Sequence, residues 1–77
     1  MNKKSKYKSK SKELREIGLR IRKVRKSLGW TMMDLSYESD LDYRQIGRIE
    51  RGERNFTILS LIKVTDALGI NLRDIFK

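Results

Sequence analysis

The sequence predicts an all-α fold: five short helices in a single domain, behind a flexible basic arm. Three observations predict it. From Leu14 onward, apolar residues recur at three- and four-residue steps, the period of one helix face. Two segments, Leu28-Gly29-Trp30-Thr31 and Leu68-Gly69-Ile70-Asn71, repeat one order of helix end, glycine stop and polar cap. The first eleven residues are nearly devoid of apolar groups, so they cannot pack and read as an arm. The domain is then residues 12–77.

The elements follow in order. Leu14, Ile17, Ile21, Val24 and Leu28 form one apolar face of a helix of about four turns. Gly29 stops it, because glycine readily takes the left-handed conformation that ends helices. The cations opposite, Arg15, Arg20, Arg22, Lys23 and Lys26, read as a solvated face. Thr31 caps a second helix, with Asp34 in its first turn, ending near Ser39. Leu35 faces inward, and the small Ser36 lets the next helix approach. Met32 and Met33 read as helix-face residues, one partly exposed, and Trp30 and Tyr37 as packing residues. Asp40-Leu41 form a turn, and Asp42 caps a third helix from Tyr43 to about Arg51. Ile46 and Ile49 face inward on it, and Gly52 ends it. After a loop at residues 53–56, Thr57 caps a fourth helix whose apolar face comprises Ile58, Leu61, Ile62, Val64, Thr65 and Leu68. Asn71 caps a last helix from Leu72 to about Phe76. No strand and no internal repeat is expected.

Composition narrows the chemistry. The chain holds neither cysteine nor histidine, which removes disulfides, thiolate or imidazole zinc sites, cysteine nucleophiles and histidine bases. No metal, cofactor or enzymatic activity is expected. The absence of cysteine fits the cytoplasm. No apolar run approaches the roughly 20 residues that span a bilayer, so no membrane partner is expected from a span. The net charge of +9 is uneven: residues 1–12 hold six lysines and no acid, while the other 65 residues contribute only +3. A polyanion is the natural partner, nucleic acid before anionic membrane. With 77 residues the core is small, and dimerisation would help stability.

Residues 31–57 carry the most specific signal. They read as two short helices joined by a tight turn, with arginines on the second. Such a unit lays one helix in the major groove of DNA while the other braces it on the backbone. On the second helix the cap at Asp42 is followed by Tyr43 and Arg44 in the first turn, then Gly47 and Arg48. Arginine suits guanine because its fork reaches both O6 and N7. Gly47 would let the helix sit deep. Gln45 suits adenine, a backbone phosphate or water.

The pattern of Ile17-Gly18, Arg20-Ile21-Arg22, Arg25, Gly29, Thr31, Leu35, Leu41, Ile46, Arg48-Ile49-Glu50-Arg51-Gly52, Arg54-Asn55, Leu61, Val64 and Ala67-Leu68-Gly69 resembles the Cro/phage-repressor helix-turn-helix family, which includes restriction–modification controller proteins. The resemblance implies a five-helix, lambda-repressor-like DNA-binding domain whose second and third helices read DNA, commonly as a homodimer on a two-fold operator. It implies base contacts from Tyr43, Arg44 and Arg48, with Gln45 beside them. Thr31, Arg51, Arg54 and Asn55 are suited to phosphates, with capping of carbonyls or pairing with Glu53 as the alternative roles for Arg51. It also implies a structural pair between Arg25 and Glu50. Independently, a carboxylate at a helix C-terminus opposes the helix dipole and should attract a cation. Four positions depart from the family pattern: Met32 in place of a phosphate-contacting glutamine, Asp40 in place of glycine, Asp42 in place of serine or threonine, and Phe56 in place of proline. Ile70, Leu72, Ile75 and Phe76 offer more apolar surface than a short last helix can hide, and are expected at a dimer interface. The implied function is a sequence-specific transcriptional regulator. The alternatives are an antitoxin-like protein-interaction module that also binds its own operator, and nonspecific RNA or membrane binding through the arm.

Overall fold

The computed structural model describes residues 12–53 and 56–76. It holds four α-helices: α1, Lys12–Ser27; α2, Met32–Ser39; α3, Tyr43–Glu50; and α4, Ile58–Leu68. A 3-10 turn, Leu72–Ile75, follows, and no strand occurs among the described residues. The expected fifth helix is therefore a single 3-10 turn. Four residues cannot sustain an i to i−4 ladder, and the Asp74 carboxylate closes the turn by accepting the Asn71 N–H at 3.0 Å. The expected arm at residues 1–11, and Arg54 and Asn55, lie outside the described residues.

Side-chain caps place the helix starts. The Thr31 hydroxyl accepts the Asp34 N–H at 3.1 Å, and the Asp34 carboxylate accepts the Thr31 N–H at 2.8 Å, a reciprocal box. Asp42 accepts the Arg44 N–H at 2.8 Å while Gln45 Oε1 accepts the Asp42 N–H at 3.3 Å. Thr57 accepts the Ser60 N–H at 3.1 Å. Between α2 and α3, Asp40 takes a left-handed conformation at φ 60°, and the Ser36 hydroxyl donates to the Leu41 carbonyl. The turn thus closes without glycine, because aspartate tolerates that region better than most residues.

Every element contributes to one core. Ile17 and Ile21 come from α1, Leu35 from α2, Ile46 and Ile49 from α3, Leu61, Val64 and Leu68 from α4, and Ile75 from the last turn. Trp30, Met32, Leu41 and Phe56 pack against its edge. Fully burying one such aliphatic side chain contributes roughly 1.5–3 kcal/mol.

Four expectations are corrected. Tyr37 is 84% exposed, because it stands two positions from the buried Leu35 and Ser39 and so faces away from them. Ile58 and Ile62 are exposed along with Leu59, because α4 turns the Leu61, Val64, Thr65 and Leu68 stripe inward. Leu28 lies beyond the end of α1 and is exposed. Arg20 is not merely solvated: its Nη1 donates to the Ile75 carbonyl at 3.0 Å, tying the last turn to α1.

Gly18 sets the spacing between α1 and α3. A Cβ there would stand 2.5 Å from the Glu50 carbonyl oxygen and collide with that of Ile49. Only a residue without a side chain lets the end of α3 rest directly on α1.

Candidate nucleic-acid interface

The site is the outer face of α3, and its placement begins with the inner face. Ile46 and Ile49 are 0% and 1% exposed, so the opposite side of the helix is directed outward. Tyr43 and Arg44 are exposed there, and Arg48 is half-buried. Neither guanidinium meets an acid or a carbonyl among the described residues. The two arginines stand one helical turn apart, on one side of the helix, with their donors available to a ligand.

The other end of α3 is braced by a buried ion pair. Arg25 Nε donates to Glu50 Oε2 at 2.6 Å, and Arg25 Nη2 to Glu50 Oε1 at 2.9 Å. Arg25 Nη1 donates to the Trp30 carbonyl at 2.8 Å. The bidentate fork joins α1, the α1–α2 link and the last residue of α3 in one geometry. The hydrogen bond to Glu50 raises the Arg25 pKa above the ordinary arginine value; burial opposes this, and the Coulomb attraction of Glu50 adds to it. The expected structural pair between Arg25 and Glu50 is thus present.

The remaining expected site residues divide. Gln45 is half-buried, and its amide oxygen is engaged at the cap, leaving its NH2 group for a ligand. Gly47 is buried rather than open: a Cβ there would meet Arg51 Nη1 at 3.0 Å, so Arg51 lies over the position expected to admit DNA closely. Arg51 itself is exposed, and its Nε donates to Glu53 Oε2 at 2.7 Å. At Thr31 the amide and the hydroxyl lone pair are both taken by the Asp34 box. Its hydroxyl proton and the first-turn amides of Met32 and Met33 are the donors left for a phosphate.

One expected interface residue is corrected. Ile75 is 1% exposed and belongs to the core, because Arg20 draws its carbonyl onto α1. Ile70 and Leu72 are half-buried against the same core. Phe76 remains 52% exposed. The sequence reading gave Gly18 no packing role and took Arg20 as solvated, so it missed the contacts of both. The Ile17-Gly18 step inside an apolar face was the available signal for a close approach; nothing local marks Arg20 as a carbonyl partner.

A capped helix with outward arginines, held by a second helix across a tight turn, defines a helix-turn-helix domain. The chain belongs to the helix-turn-helix family, whose model matches residues 21–75. The control protein C.MunI from a Mycoplasma species is 38% identical over 64 residues, covering 77% of this chain and 81% of the relative. The crystal structure of the restriction–modification controller protein C.AhdI from Aeromonas hydrophila superposes with a TM-score of 0.81 at 33% identity, covering 86% of this chain and 100% of that one. The controller C.Esp1396I, solved bound to a 19 base pair DNA duplex, gives a TM-score of 0.76 at 38% identity, covering 86% of this chain and 88% of that one. Among the described residues there is no group of acids that could hold a metal ion, and no helix is long and apolar enough to cross a membrane.

Proposed function

We propose that the protein is a sequence-specific, DNA-binding transcriptional regulator that reads the major groove with α3. The observation that carries this reading is the outward pair Arg44 and Arg48 on a helix fixed at both ends, by the Asp42–Gln45 cap and by the Arg25–Glu50 fork. Arg44, Arg48 and Tyr43 meet base edges, and the Gln45 NH2 group lies beside them. Arg51, with Arg54, Asn55 and the start of α2, meets phosphates. Phosphate contacts set register, and base contacts choose sequence. The likeness to a controller bound to a DNA duplex supports the choice of ligand. The likeness to C.MunI and C.AhdI supports control of a restriction–modification operon as the setting, and the cytoplasm as the place.

The protein acts as a homodimer without a cofactor. Ile58, Leu59 and Ile62 on α4, together with Phe76, are among the exposed large apolar groups, and these four supply the contact. A two-fold dimer places two copies of α3 about 34 Å apart, on half-sites one DNA turn apart.

Selection of duplexes from a random-sequence pool tests the reading. The selected sequences should converge on a two-fold motif with guanine at positions that lose their preference when Arg44 or Arg48 is replaced by alanine. A pool that returns no motif refutes it.

A further inference from the structure

We infer that Arg22, on α1, is a phosphate-binding residue that forms one clamp with Arg51 at the end of α3; the inference rests on the DNA-binding reading above. The two arginines come from different elements yet share two adjoining clefts. One, of about 270 Å³, is lined by Arg22, Arg25, Met32, Gly47, Glu50 and Arg51. The other, of the same volume, brings Arg15 and Leu19 to the same pair.

The charge of the first cleft favours an anion. Three guanidiniums line it against a single carboxylate, Glu50, and both oxygens of that carboxylate are already taken by Arg25. Counting donors then singles out Arg22. Arg25 uses three of its five N–H groups on Glu50 and the Trp30 carbonyl, and Arg51 gives its Nε to Glu53. Arg22 is exposed and has no hydrogen bond or ion pair among the described residues, so its five N–H groups are uncommitted. Met32 lines the cleft with a thioether and offers no N–H or O–H from its side chain.

The position suits a phosphate of the same duplex that α3 reads. Arg44, Arg48 and Arg51 follow one another at four- and three-residue steps, so they form one stripe along α3. Arg22 extends the stripe sideways onto α1. A DNA strand leaving the groove past the end of α3 meets Arg51 and then Arg22. A guanidinium suits this role, because its planar fork can bond two phosphate oxygens at once.

The experiment is a salt titration of binding to two duplexes, one enriched from the random pool and one of scrambled sequence. The proteins are the wild type, Arg22→Gln, Arg22→Lys and Lys23→Gln. Lys23 is the neighbouring α1 cation, exposed and outside both clefts. Arg22→Gln should weaken binding to both duplexes by a similar factor, roughly threefold to tenfold, and lower the salt slope by about one. Arg22→Lys should keep the slope, and Lys23→Gln should leave it near the wild-type value. Three outcomes overturn the clamp: a wild-type slope in Arg22→Gln, an equal change in Lys23→Gln, or a loss confined to the selected duplex. If the wild type binds neither duplex, the DNA-binding reading fails and the clamp with it. If it binds both alike but the Arg22→Gln slope still drops, base reading fails and the clamp stands.

Discussion

At the scale of single residues, Arg48 and Glu50 sit two positions apart on α3 and do opposite work. Arg48 points outward with its donors uncommitted, and Glu50 points inward with both oxygens bonded to Arg25. Replacing Arg48 by alanine should leave folding nearly unchanged and reduce discrimination at one base pair by about 1–3 kcal/mol. Binding to the selected duplex and to its single-base variants measures this; a loss equal across all variants would count against base reading. Replacing Glu50 by glutamine strands a buried guanidinium, since the paired side chains are only 8% and 6% exposed. Urea unfolding should show a loss of about 3–5 kcal/mol. The pH dependence follows from the raised Arg25 pKa. A raised folded-state value contributes stability that is complete below the unfolded-state pKa and fades as pH rises past it. Arg25 therefore adds a constant amount through the neutral and moderately alkaline range. A fall in stability there that vanished in an Arg25→Met variant would contradict this.

At the scale of elements, short helices depend on their ends. α2 and α3 have eight residues each, too few to persist alone, so caps and packing must hold them. Thr57→Ala removes the hydroxyl that accepts the Ser60 N–H and should lower stability by about 1 kcal/mol. Asp40→Gly should act in the opposite sense. It relieves a left-handed residue at φ 60°, and the gain should reach about 1 kcal/mol at most. Thermal unfolding of the two variants side by side checks both signs. The caps at Thr31, Asp42 and Thr57 were legible beforehand because each pairs a short polar side chain with an amide two or three residues on. That chemistry is local. The packing of the last turn onto α1 was not legible, because it involves Arg20, which meets the Ile75 carbonyl from fifty-five positions away.

At the scale of the whole molecule, the unsolved business of the monomer is its apolar surface. Ile58, Leu59 and Phe76 are each more than half exposed, and Ile62 is 38% exposed. A domain this small gains proportionally from covering such surface. Ile62→Asp should convert the dimer to a monomer at concentrations where the wild type is dimeric, and should weaken binding to a two-site operator far more than to an isolated half-site. Sedimentation and half-site binding together measure the effect. A variant that remains dimeric would move the interface elsewhere. The wild-type unfolding temperature should also rise with protein concentration, as it must for any folded state stabilised by association.

The linear order of residues was enough to determine the four α-helices, their caps, the turn between α2 and α3 and the outward arginines, each of which depends on a periodicity or on contacts a few residues apart. A carboxylate placed against a helix dipole showed that Glu50 should attract a cation, and the family resemblance named Arg25 as that cation. Tertiary structure alone decided which apolar residues are inside. Ile58, Ile62 and Tyr37 carry hydrophobic side chains at plausible positions yet lie outside, and Ile75, expected at a surface, is in the core. It also decided that Gly47 is covered by Arg51, and that Arg22 stands beside Arg51 while Arg20 is drawn to the last turn. The physical reason is that a helix offers its neighbours one limited stripe, and which side of that stripe is filled depends on how the other helices cross it.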